Sequence, residues 1–179
     1  KFELGYAPSS PAQLEFAKKS FLPYSEAVEC GAFGDEGGRT YARLVERISF
    51  PIKNQNGKVI GFGGRVMGEG EPKYLNSPET PIFEKNRNLY GMHVAKRNRK
   101  PYFLICEGYM DVISLHQAGF TNAVASLGTA FTVQHGLLLK RYTKEVVLTF
   151  DSDGAGIKAA LRAIPILKEA GLSARVLTM

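Results

Sequence analysis

Two apolar runs that end abruptly in acid constrain this chain of 179 residues more than any other feature. Tyr102-Phe-Leu-Ile-Cys106 gives way to Glu107-Gly108, after which polarity returns at helical spacing. A buried parallel strand delivers a carboxylate in this way into a turn that opens a helix. The pattern recurs where Glu145-Val-Val-Leu-Thr-Phe150 ends in Asp151-Ser-Asp153-Gly-Ala-Gly156. Ligands of open α/β sheets bind outside the carboxyl ends of the strands, so Glu107, Asp151 and Asp153 are expected to meet at one rim.

Each half of this constellation has other readings when taken singly. Glu107 also fits a helix-start residue favoured by the macrodipole. Asp151-x-Asp153-Gly suggests a calcium loop, but an EF-hand needs oxygen ligands at its fifth and twelfth positions, where Ala155 and Arg162 stand. An aspartyl phosphotransferase nucleophile stays open at Asp151. Together, a glutamate after one buried strand and Asp-x-Asp after another point to a Mg²⁺ site. Hard cations take oxygen ligands, and Mg²⁺ keeps waters and substrate phosphates as the rest of its shell.

The second half of the chain alternates regularly. Strands are expected at 102–106, 123–126, 145–150 and 174–178, with helices at about 110–118, 132–141 and 155–170. Such alternation implies a mainly parallel sheet with right-handed crossovers. Pro165 inside the last helix is expected to kink or split it after Ile164.

The first half is read as a smaller α+β lobe. Ser10-Pro11-Ala-Gln13 suggests an N-cap, a first-position proline and a capping-box glutamine, and a second short helix is expected over 25–30, ended by Gly31. Gly37-Gly38 reads as a loop. Residues 46–67 read as a β-hairpin turning at Asn56-Gly57, its ribbon decorated by Arg43, Arg47 and Arg65. Gly61, Gly63 and Gly64 lack the Lys-Ser/Thr of a phosphate loop and mark a strand approached closely by another backbone or by nucleic acid. Residues 70–88 read as a rigid loop, and 88–96 as a helix closed by the basic run Lys96-Arg97-Asn98-Arg99-Lys100.

Charge is concentrated in this middle stretch. Residues 39–100 carry thirteen Lys or Arg against five acids, whereas the whole chain has a net charge of +6. A local excess of this kind fits either a polyanion-binding lobe or a solvated surface. Hydrophobic residues at 44% and charged ones at 22% fit a globular protein with no membrane span. The start does not read as a signal peptide, and a cytoplasmic location is expected. Cys30 and Cys106 have no C-x-x-C spacing, so neither a disulfide framework nor a zinc site is signalled. His93, His116 and His135 stand without partners at ligand spacing and are expected to pack or lie on the surface.

The motifs Glu107-Gly-Tyr-Met-Asp111, Ala125-Ser-Leu-Gly-Thr129 and Asp151-Ser-Asp-Gly-Ala-Gly156 resemble, in order, those of the Toprim fold shared by primases and topoisomerases. Upstream, Arg47-Ile-Ser-Phe-Pro-Ile52, Gly61-Phe-Gly-Gly-Arg65 and Pro72-Lys-Tyr-Leu-Asn-Ser-Pro-Glu-Thr80 resemble the catalytic core of bacterial DnaG-type primases. The resemblance implies an α/β protein with a Toprim-type, mainly parallel sheet flanked by helices over 101–179, preceded by a basic nucleic-acid-binding lobe over 1–100. It implies synthesis of short RNA primers from ribonucleoside triphosphates on single-stranded DNA by two-metal nucleotidyl transfer, with Mg²⁺ or Mn²⁺. Glu107, Asp151, Asp153 and Asp111 would be the catalytic acids, the first three holding metal. Arg43, Arg47, Arg65, Lys73, Tyr74, Asn76 and Lys85 would grip template and nucleotide.

The alternatives are a Toprim nuclease or topoisomerase fragment and a non-catalytic single-stranded DNA-binding fragment. Ala42, Leu44 and Val45 stand where such primases usually carry Asp, Phe and Arg, which puts contacts at the hairpin edge in question. A further acidic cluster, the zinc-ribbon domain and the helicase-binding domain of the family are not in this sequence. The chain is therefore expected to be a fragment with weak or no synthesis of its own.

Overall fold

The computed structural model describes residues 2–177. They form two compact units, residues up to 52 together with 58–84, and 53–57 together with those from 85 on.

The first unit is built on strands β1 (Gly5–Ala7), β4 (Arg47–Lys53), β5 (Val59–Val66) and β6 (Tyr74–Asn76), in that spatial order. Alternation in β4 buries Phe50 and Ile52 completely, as a strand with one covered face requires. The expected hairpin is present, with Gly57 at φ 83° in its turn. Helices α1 (Ser10–Lys19) and α2 (Tyr24–Glu29) pack Ala17 and Ala27 against Phe33 and Ala42 of a second hairpin, β2 (Phe33–Glu36) and β3 (Arg39–Ala42). That hairpin was not expected. Gly37 and Gly38 both take positive φ, 60° and 82°, which is the two-residue turn that joins antiparallel strands rather than an open loop.

Other expectations for this region are corrected. Ser9 stands at the N-cap position of α1 without a side-chain capping bond, while the Ser10 hydroxyl accepts from the Ala42 amide and Gln13 donates to the carbonyls of Pro8 and Leu44. Residues 74–76 are not loop but the strand β6, paired with β5. Within the protein, side chains rather than another backbone approach Gly61 and Gly64 most closely. A Cβ at Gly61 would meet the Phe83 ring at 3.0 Å, and one at Gly64 would meet Leu44 at 2.8 Å, so these glycines make room for core side chains.

The second unit opens with a 3-10 turn over Lys85–Arg87 and a helix of four residues, α3 (Met92–Ala95). The helix expected over 88–96 is shorter because Tyr90 bridges to Ala125 and Gly91 at φ 83° leads into the helical turn. Then follow β7 (Tyr102–Cys106), α4 (Tyr109–Gln117), β8 (Ala123–Ala125), α5 (Val133–Lys140), β9 (Glu145–Leu148), α6 (Gly154–Glu169) and β10 (Ser173–Val176). The sheet is parallel in the order β10-β9-β7-β8. The strand expected over 174–178 is thus β10, with Thr178 lying outside the described residues.

One sheet face packs Phe103, Ile105, Val146 and Leu148 against Leu139 of α5 and Ala160, Ala163 and Leu167 of α6. On the other, Leu104, Val147 and Thr149 line a groove of about 770 Å³ beside Leu115 of α4. Pro165 does not split α6, which runs unbroken from Gly154 to Glu169. Its neighbours Ala163 and Leu167 are buried, and their packing offsets the missing hydrogen bond. No helix among the described residues is long and apolar enough to cross a membrane.

Candidate active site at the strand tips

Because β7 and β9 are adjacent and parallel, with Ile105 opposite Leu148, the residues that follow them leave the sheet side by side. Thr149 continues the pairing, its amide and hydroxyl both donating to the Ile105 carbonyl, at 2.9 and 3.2 Å. Glu107 and Asp151 therefore emerge at the same rim. The Asp151 amide donates to Glu107 Oε1 at 2.9 Å, and the Asp151 carboxylate has no hydrogen-bond or ion-pair partner among the described residues.

Asp153, at the same strand tip, also serves the helix that follows. It caps α6, its Oδ1 accepting from the amides of Ala155 at 3.0 Å and Gly156 at 2.7 Å. An aspartate immediately before a helical apolar pattern is a strong N-cap signal, and this is the reading the Asp-x-Asp spacing obscured. Asp111 likewise accepts from the Gly108 amide at 2.9 Å and closes the first turn of α4, fixing the turn that carries Glu107.

Gly156 is the residue whose role was missed. A Cβ there would lie 2.1 Å from the Asp151 carbonyl and 2.7 Å from Glu107 Oε1. Only a glycine lets the start of α6 approach both strand tips this closely. Glu107 also lines a cavity of about 610 Å³ together with Ser126, Thr129 and Arg162, with Phe131, Phe150 and Ile166 as its apolar wall. The Thr129 hydroxyl is buried there without a hydrogen-bond partner among the described residues.

Glu107 and Asp151 reach one rim, with Asp153 two residues further on. Among the described residues no group of three or more His, Cys, Asp or Glu could hold an ion. The donor set nonetheless suits Mg²⁺ or Mn²⁺: two exposed carboxylates from adjacent strands, with Asp153 next to them, are the one or two protein ligands such ions take before waters and phosphates complete the shell. Cys106, one residue before Glu107, is buried, which pushes its thiol up to about 11; its Sγ lies 3.4 Å from the Thr149 hydroxyl. It is a packing residue, as expected.

The basic candidates separate. In the first unit Arg65 pairs with Tyr74 across β5 and β6, its guanidinium 5.6 Å from the ring centroid. Asn76, two residues from Tyr74, shares its face of β6, and Lys73 is exposed just before it. Arg43 is exposed, although its Nε donates to the Phe33 carbonyl at 3.0 Å. Arg47 does not decorate the ribbon. It is buried, and one guanidinium nitrogen donates to the Pro72 carbonyl at 2.8 Å, with Lys73 and Gly64 carbonyls at 3.4 and 3.5 Å. Its charge is satisfied inside the fold because the loop after β5 turns back over it. Lys85 belongs to the second unit, where its carbonyl is 2.8 Å from His135 Nε2.

The histidines pack, as expected. His135 Nδ1 accepts from the Thr132 amide at 3.1 Å, so Nε2 carries the proton and donates to Lys85. Burial lowers the pKa of His135 and keeps the ring neutral.

Comparison with known proteins accounts for both units. The family described as DNA primase catalytic core, N-terminal domain, matches residues 1–96, and the Toprim-like family matches 104–179. A DNA primase of Clostridium acetobutylicum is 48% identical over 179 residues, covering 99% of this chain and 30% of that protein. The chain thus spans about a third of the length of such relatives. The zinc-binding and RNA polymerase domains of the Aquifex aeolicus primase superpose with a TM-score of 0.93 at 39% identity, over 100% of this chain and 45% of that one. A DnaG primase catalytic domain bound to single-stranded DNA gives 0.89 at 40% identity, over 99% and 58%. With family matches across both units and a parallel sheet that carries acids at its adjacent strand tips, the chain belongs to the DnaG-type DNA primase catalytic-core family.

Proposed function

We propose that this chain is part of the core of a primase that joins ribonucleoside triphosphates into an RNA primer on single-stranded DNA. The observation that carries the reading is the hydrogen bond from the Asp151 amide to Glu107 Oε1, which ties two strand-tip acids into one rim within a chain so similar to primase cores. Glu107 and Asp151, with the second oxygen of Asp153, would hold Mg²⁺ or Mn²⁺. When bound, the ion offsets charge that develops on the attacking and leaving oxygens of phosphoryl transfer. Where Asp151 and Asp153 alone hold the ion, Glu107 Oε2 is instead the acceptor for the proton of the attacking hydroxyl. Asp111 and Gly156 position Glu107, and Thr149 fixes the register of the two tips.

In the first unit Arg65, Tyr74, Asn76 and Lys73 offer a cation, an aromatic face and an amide along one strand, the mixture that tracks a single-stranded backbone and stacks bases. Arg43 adds to this charge, and Lys85 is the candidate of the second unit. The protein acts in the cytoplasm, and zinc and the replicative helicase would be bound by other parts of a longer polypeptide. The test is template-dependent ribonucleotide incorporation by the longer protein, comparing wild type with Glu107→Gln and Asp151→Asn. Losses of 10²-fold or more in both variants are expected, and equal activity in all three would discard the assignment.

A further inference from the structure

Away from the strand tips, a cavity of about 390 Å³ in the second unit is lined by Gln55, Arg87, Gln134, Leu137, Leu138 and Arg141. Four of these come from one face of the α5 segment at helical spacing, and the other two from the hairpin turn and the 3-10 turn. The polar inventory is one-sided. Arg87 and Arg141 bring two guanidiniums, Gln134 an amide, and no carboxylate lines the cavity. The Tyr142 hydroxyl donates to Gln55 Oε1 at 3.2 Å, which occupies the acceptor of that amide and leaves its NH₂ as the donor. Leu137, 44% exposed, adds an apolar patch beside the charges.

From this geometry we infer that the cavity is a second phosphate-binding site, taking a phosphodiester of a single-stranded polynucleotide with its sugar against Leu137. Planar guanidiniums bind phosphate oxygens in pairs, and amide donors add to the same oxyanion. A free nucleotide is the poorer fit, because no aromatic side chain lines the cavity to hold a base. The inference rests on the reading of the chain as a binder of single-stranded DNA and adds a contact outside the strand-tip site.

The test is fluorescence anisotropy of labelled oligo(dT) between 50 and 200 mM KCl. Wild type is compared with Arg87→Gln/Arg141→Gln, with Gln134→Glu and with Lys73→Ala/Tyr74→Ala. Losing two phosphate contacts is expected to weaken binding about 10-fold and to make the slope of log affinity against log salt shallower by about 1.4. Gln134→Glu places a carboxylate in the cavity at a helix start, where it is compatible with folding, and is expected to weaken binding in the same direction. It decides the matter should the double variant melt early. Unchanged affinity and slope in the cavity variants, with loss in Lys73→Ala/Tyr74→Ala, would overturn this inference and leave the template reading standing. No binding by wild type would sink both. Displacement of oligo(dT) at equal charge by ATP, inorganic phosphate or poly-glutamate would also overturn it, assigning the cavity to a free anion or an acidic peptide.

Discussion

Gly154 and Gly156 stand two residues apart at the start of α6, and alanine at each is expected to have opposite effects. Around Gly154 an added Cβ meets nothing within 4 Å, so Gly154→Ala should stabilise by up to about 1 kcal/mol through reduced freedom of the unfolded chain. At Gly156 the same methyl lies 2.1 Å from the Asp151 carbonyl and 2.7 Å from Glu107 Oε1, where ordinary contact begins near 3.4 Å. The strand tip must retreat by more than 1 Å, since a backbone carbonyl cannot swing aside as a flexible side chain does. Overpacking costs about 1–3 kcal/mol, and moving the helix start strains the Asp153 cap, worth about 1 kcal/mol. Against a propensity gain of about 1 kcal/mol, Gly156→Ala should lose about 2 kcal/mol net, a fall of roughly 4–8 °C in melting midpoint. The assay is thermal unfolding of both variants, joined to Mn²⁺ titration by electron paramagnetic resonance. Displaced carboxylates should weaken ion binding in Gly156→Ala and leave it unchanged in Gly154→Ala. A Gly156→Ala protein as stable as Gly154→Ala and binding Mn²⁺ like wild type would refute the close approach.

Three further outcomes are expected. Arg47→Met leaves the Pro72, Lys73 and Gly64 carbonyls without their buried donor and should cost about 3 kcal/mol in urea unfolding, with exposed Arg43→Met costing far less. His135 is held neutral, so its folded pKa lies below the unfolded value near 6.5; its contribution is complete above that pH and is lost as pH falls below it, by at most about 1.4 kcal/mol per unit. Urea midpoints at pH 7.5, 6.5 and 5.5 should show the decline, and His135→Gln should flatten it. Cys106, buried and pushed up to about 11, should resist iodoacetamide at pH 8 while half-buried Cys30 reacts, as read by mass spectrometry of the native protein.

Much of this molecule was legible in one dimension. The four strands of the parallel sheet and its three crossover helices follow from apolar runs punctuated by glycine, because buried parallel strands and amphipathic helices write their periodicity into neighbouring residues. The acids at two strand tips were likewise local to the runs that carry them, and the order of the motifs identified the family. What escaped was whatever depended on a partner distant in sequence. Strand β6 exists because residues 74–76 find β5, and α3 is short because Tyr90 is taken by Ala125. Arg47 reads as a surface cation until the loop after β5 folds back to offer it carbonyls.

The same division runs through the site. Residue types and spacing determined that Glu107, Asp151 and Asp153 would lie at the ends of strands. Only the tertiary structure decided that Glu107 accepts the Asp151 amide, that Asp153 spends one oxygen on the cap of α6, and that Gly156 must carry no side chain. The physical reason is that side-chain periodicity encodes which face is buried, whereas the pairing of hydrogen-bond donors and acceptors at a rim is set by which strands become neighbours.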